Sequence, residues 1–204
     1  MISKKHDLIV LGSGIAGLRA AVEAAHNTEL DIGIISKVQL MRSHSVCAEG
    51  GTAAVIQPDG GDSPELHAWD TVRGADFLCD QDAVTRFVQE IPKEIVLLDH
   101  WGIPWSRRPN GRIDQRPFGG HTYDRAVYAA DKTGFFEMQT LYDTLQKYSN
   151  VSRYDECYVT SIVIKDNQFY GVTVWDLAHG DFFFIQGKAL IIATGGACRM
   201  YGFT

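Results

Sequence analysis

The chain has 204 residues, of which 45% are hydrophobic and 22% charged, and it carries a formal net charge of −6. This length and composition are typical of a globular protein with a sizeable core. The negative charge argues against nonspecific nucleic-acid binding, which needs clustered lysine and arginine, and no apolar run approaches the roughly 20 residues that cross a bilayer.

The first residues, MISKKHDLIVLG, lead from a short basic segment directly into an apolar run, with no cleavage site. We therefore expect no signal peptide and a reducing, cytosolic location in which cysteines stay free thiols. The four cysteines are far apart and include no Cys-x-x-Cys pair. For that reason we expect no metal site.

The next segment predicts a strand, a helix and a second strand: DLIVLG, GIAGLRAAVEAAHN and DIGIIS. The turn between the first strand and the helix has glycines at positions 12, 14 and 17, the spacing of the dinucleotide-binding fingerprint. Gly12 permits the tight turn, Gly14 lets the backbone approach a pyrophosphate, and Gly17 lets helix and strand pack closely. The helix N-terminus offers N–H groups to phosphate. The alternative is a glycine turn in an α/β domain that binds no ligand.

One part of this fingerprint is missing. An aspartate or glutamate is expected about 20 residues further on, where it would bind a ribose hydroxyl. The chain has Ser36 and Lys37 there. Either hydroxyl and ammonium groups hold the ribose, or the nucleotide is not a simple NAD.

Helices and a hairpin are predicted for the middle of the chain. One helix begins at Ser63-Pro64. A second, in DAVTRFVQEIPKEIVLLDHWG, should be interrupted or kinked at Pro92 and should stop at Gly102. WSRRPNGRIDQRPFGG predicts a hairpin around residues 109–111, and TGFFEMQTLYDTLQKYS predicts an amphipathic helix.

The last part of the chain predicts an antiparallel meander of three strands, CYVTSIVIKD, FYGVTVWD and DFFFIQG, followed by ALIIATGG as a further buried strand. Together with the opening unit, this order predicts an α/β fold: a Rossmann-type FAD-binding domain with a parallel sheet plus an antiparallel β-meander. The last strand should join the parallel sheet beside the first. We expect residues 1–204 to form one N-terminal part of such a domain, since no linker is evident.

The chain resembles the flavoprotein subunit of fumarate reductase and succinate dehydrogenase in six segments, taken in order. They are GSGIAGLRAA, ISKVQLMRSHSVCAEGGTAAV, CDQDAV, WGIPWSRRPNGRIDQRPFGG, AADKTGF and IIATGGACRMYGFT. The likeness runs from about Asp7 to the last residue and includes Ser36 and Lys37. It implies that the histidine of the R-S-H-[ST] motif, here His44, is bonded covalently to the 8α-methyl group of FAD.

The resemblance also implies roles for other residues. Gly50 and Gly51 would let backbone N–H groups approach the edge of the isoalloxazine ring. Phe118 matches a phenylalanine beside dicarboxylate and flavin, and Tyr158 falls where the backbone touches the adenosine. His67, His100, His121 and His179 have no such context and are expected to be structural. The further FAD contacts implied, besides the glycine turn and residues 36 and 37, are Ser13, Ala16, Ser43, Ser45, Ala48, Ala193, Thr194 and Gly195.

Glu49 bears on the direction of the reaction. Fumarate reductases resemble this chain in having glutamate before the double glycine, whereas succinate dehydrogenases typically carry glutamine. A carboxylate near the ring would disfavour the anionic reduced flavin and lower its reduction potential. With the short path from RPFGG to AADKTG, this favours fumarate reduction. The other interpretation is a solvated glutamate on a loop.

Partners and location also follow from the resemblance. It implies a fumarate or succinate substrate, an iron–sulfur subunit, membrane-anchor subunits that handle quinone, and a place on the cytoplasmic face of the inner membrane. Because the family's chain continues past Thr204 with capping and helical domains, we expect this chain to be a fragment that is inactive alone.

Three other functions remain open. The first is a succinate dehydrogenase flavoprotein. The second is L-aspartate oxidase, a relative that lacks the flavin-linking histidine, so that His44 argues against it. The third, from another class, is a non-catalytic nucleotide-binding fragment that acts as an assembly module.

Overall fold

The computed structural model describes residues 3–57 and 60–203, which divide into two compact units. Unit 1 comprises the described residues of Met1–Val46 and Leu141–Thr204, and unit 2 those of Cys47–Thr140. The helices are α1 (Ile15–Asn27), α2 (Pro64–Gly74), α3 (Gln81–His100) and α4 (Thr133–Leu145). The strands are β1 (Ser3–Leu11), β2 (Ile32–Ile35), β3 (Thr52–Ala53), β4 (Gln115–Arg116), β5 (Ala126–Val127), β6 (Val151–Tyr154), β7 (Cys157–Lys165), β8 (Gln168–Asp176) and β9 (Phe182–Ile192).

Unit 1 contains a six-stranded sheet with the order β6-β2-β1-β9-β8-β7. Strands β6, β2, β1 and β9 pair in parallel, and β9, β8 and β7 form the antiparallel meander. The predicted α/β fold is therefore confirmed, including the return of the last strand to a place beside the first. The core is an apolar cluster on this sheet; its fully buried members are Ile9, Ile35, Val172, Val174 and Ile185.

The prediction of two separate strands near the end of the chain is wrong. DFFFIQG and ALIIATGG form a single strand, β9, which pairs with β8 through Phe182–Gln186 and with β1 through Phe184–Ile192. A glycine inside a strand usually weakens it. Here a Cβ on Gly187 would lie 2.7 Å from Cδ1 of Ile9, so the glycine permits close packing. The expectation that the end of this strand is buried is also wrong, because Ile192 is 61% exposed.

Strand β6 was not predicted, because its four residues are too few to show a hydrophobic period. It is held by parallel pairing with β2, from Ile32 opposite Val151 to Ile35 opposite Tyr154. This strand is therefore stabilised by pairing with its neighbour, and not by the intrinsic strand preference of its four residues.

In unit 2 the predicted helix starts and stops are largely confirmed. Ser63 caps α2, since its Oγ accepts a hydrogen bond from the N–H of Leu66, and proline follows in the first turn. Gly102 follows the end of α3 with φ 99°. The expected interruption at Pro92 is wrong, because α3 runs through it. Its buried residues Val88, Ile95 and Leu98 fall on one helical face, and their packing outweighs the loss of one hydrogen bond.

The turn predicted at residues 109–111 is present. The N–H of Arg108 donates to the carbonyl of Arg112 at 2.9 Å, and Arg107 pairs with Ile113 in an isolated antiparallel bridge. A second sheet, β3-β5-β4, was not predicted, because each of its strands has two residues. None of the helices in residues 3–57 and 60–203 is long and apolar enough to cross a membrane.

Candidate functional site

The turn between β1 and α1 in unit 1 can be made only with glycine at two positions. Gly12 has φ 111°, and a Cβ there would overlap the carbonyl of Ala193. A Cβ on Gly17 would overlap the carbonyl of Gly12. The N–H of Gly12 donates to the carbonyl of Ile35 at 2.8 Å, which ties the turn to the end of β2. The backbone is thus folded back on itself where the dinucleotide fingerprint requires it.

Gly14 is the N-cap of α1, and no side-chain hydrogen bond caps the helix from that position. A Cβ on Gly14 would lie 3.1 Å from Oγ of Ser45. That hydroxyl also accepts a long hydrogen bond, 3.3 Å, from the N–H of Ile15. The first turn of α1 therefore presents amide N–H groups and the positive end of the helix dipole beside the hydroxyl groups of Ser43 and Ser45, polar surroundings that suit a phosphate group.

Ser36 and Lys37 stand at the end of β2, where an acidic residue is absent. The hydroxyl of Ser36 is buried and lies 2.8 Å from the hydroxyl of Ser13, so it joins the strand end to the glycine turn. Lys37 is exposed. Of the two, the ammonium group of Lys37 is the one accessible to a nucleotide.

His44 begins a short 3-10 helix, His44–Cys47, and is exposed. Two hydrogen bonds hold the segment that leads to His44. The N–H of Met41 donates to Oε1 of Gln39 at 2.9 Å, and the N–H of Leu40 donates to Oδ1 of Asp155 at 2.8 Å. Among the described residues the imidazole itself has no hydrogen-bond partner. The structure therefore presents an accessible imidazole on an anchored segment of unit 1.

The other sequence-predicted contacts of unit 1 lie on several elements: the segment after β9, strand β7, helix α1 and the segment before His44. The N–H of Ala193 donates to the carbonyl of Leu11 at 2.8 Å, which brings it to the glycine turn. Thr194 is exposed, and Gly195 is exposed with φ 75°. Tyr158 is 48% exposed on β7. Ala16 is exposed on the first turn of α1, and Ser43 is half-buried.

In unit 2 the structure brings the double glycine together with Phe118. A Cβ on Gly50 would lie 2.8 Å from two carbons of the Phe118 ring. Gly51 has φ 111°, and a Cβ there would lie 2.6 Å from the carbonyl oxygen of Val127. Phe118 is nevertheless 54% exposed. Its ring thus packs on bare backbone on one side and is open on the other.

Arg116 holds the same loop. Its Nη2 donates to the carbonyl oxygens of Glu49 at 2.6 Å and of Gly50 at 3.0 Å, and its guanidinium lies 4.5 Å from the centre of the Tyr128 ring. The guanidinium group of Arg116 therefore binds the backbone of this loop through its carbonyl oxygens. Glu49 is exposed, and so is the preceding residue, Ala48.

Sequence reasoning missed a buried ionic network in unit 2. Arg125 is fully buried; its Nε donates to Oδ2 of Asp62 at 2.8 Å and its Nη1 to Oδ2 of Asp70 at 2.6 Å. Burial alone would raise the pKa of Asp70, but hydrogen bonds from Thr122 and Arg125 lower that pKa to about 2. The three charged residues are separated by up to 63 positions, and no local pattern marks them.

Two histidines pack in the same unit. His67 is 2% exposed, its ring centre lies 6.2 Å from that of His121, and the Nδ1 atoms of both are buried without a hydrogen-bond partner. Burial, together with the charges of Arg125 and His121, lowers the pKa of His67 to about 4. Burial and Arg125 also lower the pKa of His121. Both rings are therefore predominantly neutral at pH 7.

A family model described as "FAD binding domain" matches residues 7–203 of the chain. The fumarate reductase flavoprotein subunit of Mycobacterium tuberculosis (strain CDC 1551 / Oshkosh) is 50% identical over 204 residues, which are 100% of this chain and 35% of that protein. The succinate dehydrogenase flavoprotein subunit of Coxiella burnetii is 37% identical, over 97% of this chain and 35% of that protein.

Among solved structures, an E. coli quinol fumarate reductase FrdA variant superposes with a TM-score of 0.92 at 45% identity, over 98% of this chain and 34% of that chain. The expected resemblance is thereby confirmed. The chain spans about a third of the length of the relatives it matches.

Proposed function

The chain belongs to the FAD binding domain family, and from this membership we propose that it is the FAD-binding part of a fumarate reductase flavoprotein subunit. The observation that carries the proposal is the combination, within unit 1, of a glycine turn that admits no side chain and an exposed histidine on an anchored segment. The first favours a dinucleotide phosphate. The second favours attachment of the flavin.

The residues of unit 1 fit this cofactor. The N–H groups at the start of α1 bind the pyrophosphate, since Gly14 has no side chain to cover them and the hydrogen bond from Ile15 to Ser45 is long, 3.3 Å. Lys37 contributes a cation at the end of β2. His44 would hold the flavin through a bond from an imidazole nitrogen to the 8α-methyl carbon. Forming this bond would release one proton from the methyl group and one from the imidazole, and the oxidised flavin ring itself would take up the two electrons. When bound, the flavin supplies the two-electron redox chemistry. The remaining contacts in our proposal are Gly12, Ser13, Gly14, Ala16, Gly17, Ser36, Ser43, Ser45, Tyr158, Ala193, Thr194 and Gly195.

In unit 2 the proposed roles fall to the loop that starts at Ala48. Backbone N–H groups of Gly50 and Gly51 meet the flavin ring, and Phe118, packed on Gly50, borders the dicarboxylate. The carboxylate of Glu49 lowers the reduction potential of the flavin. Because the chain spans about a third of its relatives, we propose that the remaining catalytic groups lie outside these 204 residues, which are inactive alone.

We further propose that the whole protein reduces fumarate to succinate with electrons from quinol, delivered through an iron–sulfur subunit, and that membrane-anchor subunits hold it at the cytoplasmic face. One solved structure that this chain resembles is named "Quinol-Fumarate Reductase with Menaquinol Molecules", which supports this assembly. A succinate dehydrogenase is the second candidate, favoured by the likeness to the Coxiella subunit.

The test of flavin attachment is His44→Ser in the full-length protein. We expect FAD to remain bound but to be released by acid precipitation, whereas wild-type FAD stays with the protein. His179→Ser, at an exposed position of unit 1, is the control and should keep acid-stable flavin. Flavin that stays covalent in His44→Ser would reject the assignment. A colourless wild-type protein that binds partners would favour the assembly-module alternative.

The direction of the reaction is tested by Glu49→Gln. At an effective dielectric near 20, unit charges several ångströms apart interact by roughly 2 kcal/mol, which is tens of millivolts for a two-electron couple. Removing the carboxylate should therefore raise the flavin midpoint potential and shift the activity ratio towards succinate oxidation. Glu90→Gln, at an exposed carboxylate on α3, should leave both unchanged. If Glu49→Gln also changes neither, Glu49 has no part in setting the direction.

A further inference from the structure

Glu137 is a buried carboxyl group for which the proposed function gives no role. It lies in the second turn of α4 and is 5% exposed. Burial raises its pKa, and a hydrogen bond from the hydroxyl of Thr52 acts in the opposite direction. Since a carboxyl group costs several kcal/mol to bury without a partner, the hydrogen bond from Thr52 is the contact that offsets its burial.

Thr52 directly follows the double glycine, so Glu137 acts on the loop of residues 48–52, the glycine loop. Helix α4 holds this loop at both ends. The N–H of Gly134 donates to the carbonyl of Ala48 at 2.7 Å, and Glu137 accepts the hydrogen bond from Thr52. Gly134 and Glu137 are three residues apart, and side chains or backbone groups at that spacing share one helix face.

The middle of the glycine loop is held from another direction. Arg116 binds the carbonyl oxygens of Glu49 and Gly50. Gly51 adopts φ 111° with the carbonyl of Val127 behind it. Residues 48, 49, 50 and 52 of the loop are thus each held by a hydrogen bond within unit 2. Next to Gly51, Thr52 is held twice: its backbone pairs with Val127 in the second sheet, and its side chain donates to Glu137.

We propose that Glu137 is a positioning residue: through Thr52 it holds the backbone of Gly50 and Gly51 in the conformation that the flavin ring meets, and it does so as a hydrogen-bond acceptor, without need of its charge. The inference rests on the proposed FAD site. It predicts that an amide of the same shape replaces the carboxyl group, because the amide oxygen accepts the same hydrogen bond.

The experiment compares Glu137→Ala and Glu137→Gln in the full-length protein. Hydrogen–deuterium exchange of the glycine loop, the fraction of covalent FAD and the flavin midpoint potential are measured. In Glu137→Ala we expect loop exchange to be roughly tenfold faster, as for the loss of one buried hydrogen bond, with less covalent FAD and a shifted midpoint. Glu137→Gln should restore all three. Gln139→Ala, at an exposed position of α4, should resemble wild type.

If Glu137→Ala does not fold, the pair Thr52→Val and Thr52→Ser replaces it. Valine removes the donor and should give fast exchange and a shifted midpoint, whereas serine keeps the donor and should not. The proposal is overturned if exchange and midpoint stay at wild-type values in Glu137→Ala or Thr52→Val, or if Glu137→Gln behaves like the alanine variant. Absence of flavin from wild-type protein would instead reject the proposed function, while the exchange data would still decide whether Glu137 holds the loop.

Discussion

The glycine turn of unit 1 and the Arg125 network of unit 2 are built in opposite ways. In the turn, the decisive groups are backbone atoms: the approach of residues 12 and 17 leaves no space for a Cβ. In the network, they are side chains, and Arg125 is fully buried between Asp62 and Asp70. The glycine spacing that marks the turn spans five positions, from Gly12 to Gly17, although the distant carbonyl of Ala193 also closes the space at Gly12. The network joins side chains up to 63 positions apart.

This difference has consequences for stability. The core of unit 1 is an apolar cluster on the sheet, and apolar burial does not depend on ionisation. Part of unit 2 depends on buried charges that must stay paired and on histidines that must stay neutral. Unit 2 should therefore be the more sensitive to changes of single charges and of pH, and unit 1 to changes of volume.

The largest effect is expected from Arg125→Met. The substitution leaves Asp62 and Asp70 buried without their cation, which typically costs about 3–5 kcal/mol. Arg108→Met is the matched control, because Arg108 is 42% exposed and pairs with Asp114 near the surface; it should cost less than about 1 kcal/mol. Urea unfolding measures both. Equal losses for the two variants would mean that burial does not distinguish the network.

The next effect is expected from Gly17→Ala in unit 1. The added methyl group overlaps the carbonyl of Gly12, and overpacking of this kind costs about 1–3 kcal/mol. Gly74→Ala, at the end of α2, has nothing within 4 Å of the new Cβ and should be neutral or slightly stabilising. A stable Gly17→Ala variant, seen in the same unfolding experiment, would contradict the close approach in the turn.

The smallest effect concerns pH. Folding lowers the pKa of His67 from 6.5 to about 4, so the stability it contributes is complete above pH 6.5 and is lost progressively as the pH falls towards 4. The loss at pH 5.5 is about 1 kcal/mol. Hydrogen exchange should show unit 2 opening before unit 1.

His67→Phe should reduce this pH dependence, because it removes the titrating group. His179→Gln, at a site of unit 1 that is 74% exposed, is the control and should leave the acid sensitivity of unit 2 unchanged. Acid sensitivity of equal size in His67→Phe and wild type would assign the effect to other groups.

Several features were predictable from short stretches of sequence. The opening strand, helix and strand, the glycine turn, the cap at Ser63 and the meander all follow from hydrophobic period, glycine spacing and capping chemistry. These signals are local, because each reports a backbone conformation that the residues themselves prefer or require. His44 was singled out by resemblance, and its exposure on an anchored segment is what the structure adds.

Only the tertiary structure decided the rest. Strand β6 exists because β2 pairs with it, β9 continues through Gly187 because β1 pairs with it there, and α3 continues through Pro92 because its apolar face is packed. The partners of Arg125 and Glu137 are distant in the chain, and their pairing reflects burial. From local sequence, a charged side chain is predicted to lie on the surface. Whether it is instead buried away from water depends on long-range contacts, which no local pattern encodes.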